Sequence, residues 1–179
     1  MHKLSALRDG NWVEHSFAPV FAQNSQRIIA GVPGGDPVIF EQLVSQLEYP
    51  CSLLYVLHTP RGEGQPGRYQ SPELQHVQLR SFIARFGSYL RSDARFDLWA
   101  YSPSERSTLV WDRHNRLFAY GAVDRFASQL RAMGFSAGGD VAIPAPHSHN
   151  YHPHFDADAA GVLQAFDWSR SPLLPEDEQ

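Results

Sequence analysis

Between Arg95 and Gly121 three strand-like runs, RFDLWAYS, STLVWD and RLFAYG, follow one another with only a few turn residues between them. Parallel neighbours need a connection of a dozen or more residues, usually a helix, so these runs have to pair antiparallel as a meander. Arg113-His114-Asn115 forms the tight turn between the second and third runs. A meander at the centre of the chain argues against a doubly wound parallel sheet. It points to an α+β fold, a single domain with a mixed but mostly antiparallel sheet and helices packed mainly on one face.

The flanking sequence supplies the rest. QRIIAGV (26–32) reads as a buried strand and CSLLYVLHT (51–59) as a central one, both short and continuously apolar. Asp36-Pro37 is a helix start, an N-cap followed by proline at the first helical position. Ile39, Phe40, Leu43, Val44 and Leu47 then recur at helical spacing, predicting a helix over 37–48. Ser71-Pro72-Glu73 repeats that start ahead of a stripe from Leu79 to Leu90, which predicts a helix over 72–92. Val123 to Met133 gives a third helix, stopped by Gly134. DVAIP (140–144) is expected as an edge strand, and Ala159 to Phe166 as a short helix capped by Asp156 or Asp158. Residues 1–25 lack periodicity and are expected to form an irregular arm. Residues 26–168 form the core, and 169–179 an acidic tail that frays beyond Leu174.

Composition narrows the function classes. The net charge is −4, which gives no general attraction to nucleic acid. Lys3 is the only lysine among 15 basic residues. A single cysteine, Cys51, rules out an internal disulfide and favours a reducing compartment. The N-terminus lacks the apolar stretch of a signal peptide, and no run is long enough to span a membrane, so a cytoplasmic protein is expected.

Two features bear on function. The first is PAPHSHNYHPHFDAD (144–158), which holds four of the nine histidines. In an extended chain residues two apart point to one side, so His147/His149 and His152/His154 are candidate zinc-ligand pairs, with Asp156 as an added carboxylate. A hydrolytic zinc needs three protein ligands and one open position. Against this, Pro144, Pro146 and Pro153 favour polyproline geometry, whose three residues per turn would splay each pair, and Asp156 has an ordinary use as a helix cap. The same histidines without metal would be a tie that loosens in mild acid.

The second feature is the aromatic content of the meander. Trp99, Tyr101, Trp111, Phe118 and Tyr120 crowd neighbouring strands, with Arg106, Arg113 and Arg116 placed to rim them. Trp, Tyr and Arg are enriched at the energetic centres of interfaces, so this face is expected to bind another protein or a second copy. Arg61 and Arg68, in the Gly-rich loop before a helix start, are candidate anion ligands, although the loop matches no phosphate-binding motif. His58, at the end of a central strand, would serve as a base if Asp97 or Asp112 lay beside it. Two functions follow from these features. One is a binding or accessory protein acting through the aromatic meander. The other is a zinc-type hydrolase built on the histidine tract.

Overall fold

The computed structural model describes residues 1–178. Its strands are β1 (Leu4–Arg8), β2 (Asn11–Glu14), β3 (Val20–Gln23), β4 (Arg27–Gly31), β5 (Ser52–Leu57), β6 (Gly67–Gln70), β7 (Phe96–Ser102), β8 (Ser107–Trp111), β9 (Arg116–Tyr120), β10 (Ser136–Ala137), β11 (His147–His149) and β12 (Ser169–Ser171). The helices are α1 (Pro37–Val44), α2 (His76–Ser92), α3 (Val123–Ala132) and α4 (Asp156–Leu163). The larger sheet runs β10-β3-β4-β9-β8-β7-β5-β6-β12 and is antiparallel except where β10 meets β3. The expected α+β fold with a central β7-β8-β9 meander is the one observed.

The sheet has two unlike faces because its side chains alternate. Leu98, Ala100, Leu109, Trp111, Leu117 and Ala119 point to the helices and are all buried. Phe40 of α1 meets Trp111 at 5.8 Å between ring centroids, and the Tyr55 and Tyr89 hydroxyls hydrogen-bond at 2.6 Å within the same core. The opposite face carries Trp99, Tyr101, Val110, Phe118 and Tyr120. Trp111 was expected to act in binding, but its register turns it inwards and it is fully buried. It is a core residue and offers nothing to a partner.

The helix starts show what local sequence can and cannot decide. Asp36 caps α1 through its carboxylate, which accepts from the Val38 amide at 3.1 Å. The similar Ser71-Pro72-Glu73 does not start α2. Leu74 exchanges backbone hydrogen bonds with Cys51 at 2.7 and 3.0 Å, which keeps the chain extended as far as Leu74. The helix begins only at His76, where the Gln78 side chain accepts from the Gln75 amide.

Three expectations at the edges are corrected. The first 25 residues are not an irregular arm. β1 and β2 pair in a hairpin, β11 adds to β1 to complete a second, three-stranded sheet, and β3 joins the main sheet. DVAIP forms no strand. After Gly138 and Gly139, both at positive φ, the segment runs exposed or half-exposed, and Ser136–Ala137 makes the edge pairing instead. The tail does not fray at Leu174. Asp177 is buried and forms an ion pair with Arg68 at 2.5 Å, while Gln179 lies outside the described residues.

Replacing Trp111 with alanine should cost about 3–5 kcal/mol, the usual loss for truncating a fully buried large aromatic. Urea denaturation of Trp111→Ala beside the wild type measures it.

Candidate metal centre and cleft

Two separate devices deliver three imidazoles to one place. The first is the β8–β9 hairpin. Its loop is Arg113-His114-Asn115, closed by the Asp112 amide donating to the Arg116 carbonyl at 2.9 Å. Asn115 sits at φ +60°, a left-handed position that asparagine tolerates better than most residues. Asp112 organises the loop. One of its oxygens accepts from the amides of His114 (2.9 Å) and Arg116 (2.8 Å), and the other from the Arg116 guanidinium (3.0 Å). That second oxygen also lies 3.4 Å from His114 Nδ1.

The second device is β11. It pairs antiparallel with β1, matching His147 with Ala6 and His149 with Leu4. Strand geometry therefore holds His147 and His149 on one side, which polyproline geometry would not have done. His114, His147 and His149 form the cluster, each offering one ring nitrogen within 4.8 Å of the others. Ring centroids are 4.7 Å apart for His114 and His149, and 5.3 and 5.4 Å for the other two pairs.

The ring orientations suit a metal. His114 Nδ1 faces Asp112, and His147 Nδ1 lies 3.0 Å from the Pro144 carbonyl oxygen, which leaves Nε2 of each ring for a ligand. Outer contacts of this kind, to a carboxylate and a carbonyl, orient metal-bound histidines. His149 Nε2 is buried and has no hydrogen-bond partner among the described residues. Burial first, and then the charges of His114, Arg113 and His147, push the His149 ring down to about 3, so it is neutral, which is the ligating form. Tetrahedral zinc with bonds near 2.05 Å needs nitrogens roughly 3.4 Å apart, so the rings would have to close inward by about an ångström.

The three histidines line a cleft of about 780 Å³ on the sheet face away from the helices. Trp99, Val110, Phe118 and Tyr120 line it, together with Asp97, Arg113 and Arg116. A second groove, of about 300 Å³, lies between α2 and Phe166 and is mainly apolar.

The remaining members of the histidine tract do other work. The His152 amide donates to Asp93 at 2.8 Å, and its ring nitrogen lies 3.2 Å from the His2 carbonyl oxygen. His154 packs on Phe155 at 3.9 Å. Asp156 accepts from Arg95 at 2.6 Å and from Arg61 at 3.2 Å. These three stand apart from the triad, and α4 starts at Asp156 itself with Phe155 at the cap position, so Asp156 and Asp158 both lie inside the first turn and neither caps the helix. Arg61 and Arg68 are engaged with Asp156 and Asp177, so the suggested anion clamp has its anions within the chain. Arg116 is held by Asp112 and lies over the Phe118 ring. His58 does lie beside Asp97, at 3.0 Å, rather than beside Asp112. Cys51 is buried, and burial raises its thiol to about 11, so it is an inert core residue.

Two participants escaped sequence reading. His114 looked like an ordinary turn residue, and its proximity to the tract depends on pairing between β1 and β11. Lys3 is fully buried, with its amine 4.1 Å from the Trp111 ring centroid and 4.6 Å from that of Phe96. Burial lowers it to about 7, against the pull of Asp112, Asp97 and Asp93. A lone lysine near a terminus carries no sequence signal for such a position.

No protein-family model, curated protein or solved structure matches the chain. Among the described residues no helix is long and apolar enough to cross a membrane.

The His149 shift has a testable consequence. The ring takes up its proton near pH 6.5 in the unfolded chain but only near pH 3 in the fold. The unfolded state therefore binds more protons across that window, and this group's contribution to stability falls as the pH drops from 6.5 towards 3. Chelator-treated His149→Gln lacks the effect. Its stability, followed by urea denaturation at about pH 7 and pH 5, should decline less than that of the wild type.

Proposed function

We propose that the chain is a metal-dependent hydrolase in which His114, His147 and His149 hold a zinc-type divalent ion in the cleft they line. The observation that carries this reading is the convergence of three imidazoles, two of them oriented by outer contacts and the third buried without a partner. Three nitrogen ligands leave a tetrahedral ion one open position, which is the pattern of catalytic rather than structural zinc. An ion there would acidify a bound water and polarise the carbonyl or phosphoryl group of a substrate lying along Trp99 and Phe118. The single buried thiol suits a cytoplasmic, reducing setting.

A second reading keeps the aromatic face as a docking surface for another protein or a second copy. Tyr101, 40% exposed at the far side of that face, favours it. Loss of association in Tyr101→Ala would support it.

Elemental analysis of untagged protein dialysed against low zinc tests the metal reading. About one ion per chain is expected in the wild type, with near-complete loss in His114→Ala and His149→Ala. Uptake should be unchanged in His154→Ala, whose side chain packs on Phe155 outside the triad. A wild-type chain without metal would remove the reading.

A further inference from the structure

We propose that Asp97 is the proton acceptor for the water activated at the His114, His147 and His149 site, and that His58 is the positioning residue behind it. This rests on the metal reading above. It reverses the order the sequence suggested, in which His58 would be the base and an aspartate its support.

Placement comes first. Asp97 lines the same cleft as the three histidines, whereas the His58 side chain is only 5% exposed. The ladder pairs Leu98 with Trp111, so Asp97 and Asp112 are neighbours across β7 and β8 on the outer face. One Asp97 oxygen accepts from the Arg113 amide at 2.7 Å, which fixes the carboxylate against the loop that presents His114. The other oxygen lies 3.0 Å from His58 Nε2, at ion-pair distance but without hydrogen-bond alignment.

The two neighbouring carboxylates differ in how fully they are engaged. Asp112 receives the His114 and Arg116 amides, the Arg116 guanidinium and the His114 ring. An ionised carboxylate has about four acceptor positions, so Asp112 is saturated and serves to hold the loop and its ligand. Asp97 has the Arg113 amide and the His58 ring beside it and keeps lone pairs for a further donor. A hydrolytic water needs such an acceptor, at hydrogen-bond distance from the proton it loses. With an ion held by the three histidines to activate a water, the water oxygen would bond to the carbonyl carbon of an ester while its proton passed to Asp97. As the carbon–oxygen bond to the leaving alcohol broke, Asp97 would return that proton to the departing oxygen. Charge and atoms balance without a further reactant.

Cobalt(II) provides a test that does not depend on knowing the natural substrate. The visible spectrum of cobalt-loaded protein is followed against pH for the wild type, Asp97→Asn and His58→Gln, and hydrolysis of p-nitrophenyl acetate is measured on the same samples. Asparagine keeps an oxygen for the Arg113 amide, so Asp97→Asn should fold and retain one cobalt per chain. Removing a negative charge beside the bound water favours hydroxide, so the spectral transition should move to lower pH by about one unit. Hydrolysis should nevertheless fall roughly 100-fold or more, because the proton has lost its acceptor. His58→Gln should lower the rate less and also shift the transition. Retained cobalt with an unmoved transition in Asp97→Asn would overturn the proposal whether or not the rate falls, and would leave the metal reading standing. A wild-type chain that takes up no cobalt would remove both.

Discussion

The arrangement around the cleft depends on one buried guanidinium. The Arg95 side chain is fully buried at the start of β7 and bonds outward in several directions. Its partners are Asp93 at 3.1 Å, Glu63 at 3.3 Å, Asp156 at 2.6 Å and the His152 carbonyl at 2.9 Å. Burial opposes its charge, but Asp156, Asp93 and Glu63 outweigh the penalty and raise it further above its ordinary value. A buried ion pair does little for net stability when compared with apolar packing, yet removing one partner strands the other charge. Here the network also sets position. It fastens the 60–63 loop, the second half of the histidine tract and the start of α4 to the centre of the sheet. Asp93 adds the His152 amide, and the Ala94 amide donates to the Asn150 carbonyl at 3.1 Å. The chain is therefore anchored immediately after His149.

That anchoring divides PAPHSHNYHPHFDAD into two parts with different duties. His147–His149 form a short strand that presents two of the three clustered imidazoles, and residues from His152 onward form a structural tie. The sheet is divided in the same way. Its helix side holds a continuous apolar core, so its other side is free to carry Trp99, Phe118, Asp97 and the arginines around a cleft. The two unlike faces arise from the alternation of single residues along β7, β8 and β9. Trp99 lines the cleft and Trp111 fills the core because they occupy opposite phases of that alternation.

Much of the fold was legible because local rules agreed with one another. The meander followed from its short turns, α1 from Asp36-Pro37, and the end of α3 from Gly134, which adopts φ +87°. The parts that were not legible depend on partners distant in the chain. β1, β2 and β11 are too short and too polar to announce themselves, and they exist because they pair. Ser71-Pro72-Glu73 reads as a helix start, but Cys51 claims Leu74 first. The candidate site was half readable. His147 and His149 stood out by spacing, but spacing could not separate them from His152 and His154, which the Arg95 network places elsewhere. His114 could be added only once the hairpin loop and β11 were seen to meet.

The ladder that holds the two strand imidazoles is only three residue pairs long. A strand that slips by one residue presents its other face, which here would put the hydroxyl of Ser148 where two imidazoles stood. What prevents the slip is Asn150, whose amide donates to the Lys3 carbonyl at 2.8 Å and whose side chain donates to Ser5 at 3.0 Å, with the Leu7 amide bonded to Pro146 at the other end. Which side chains join His114 in the cluster thus depends on a residue outside it. The choice between a nitrogen-rich site suited to zinc and a single hard oxygen donor is made by the alignment of two short strands.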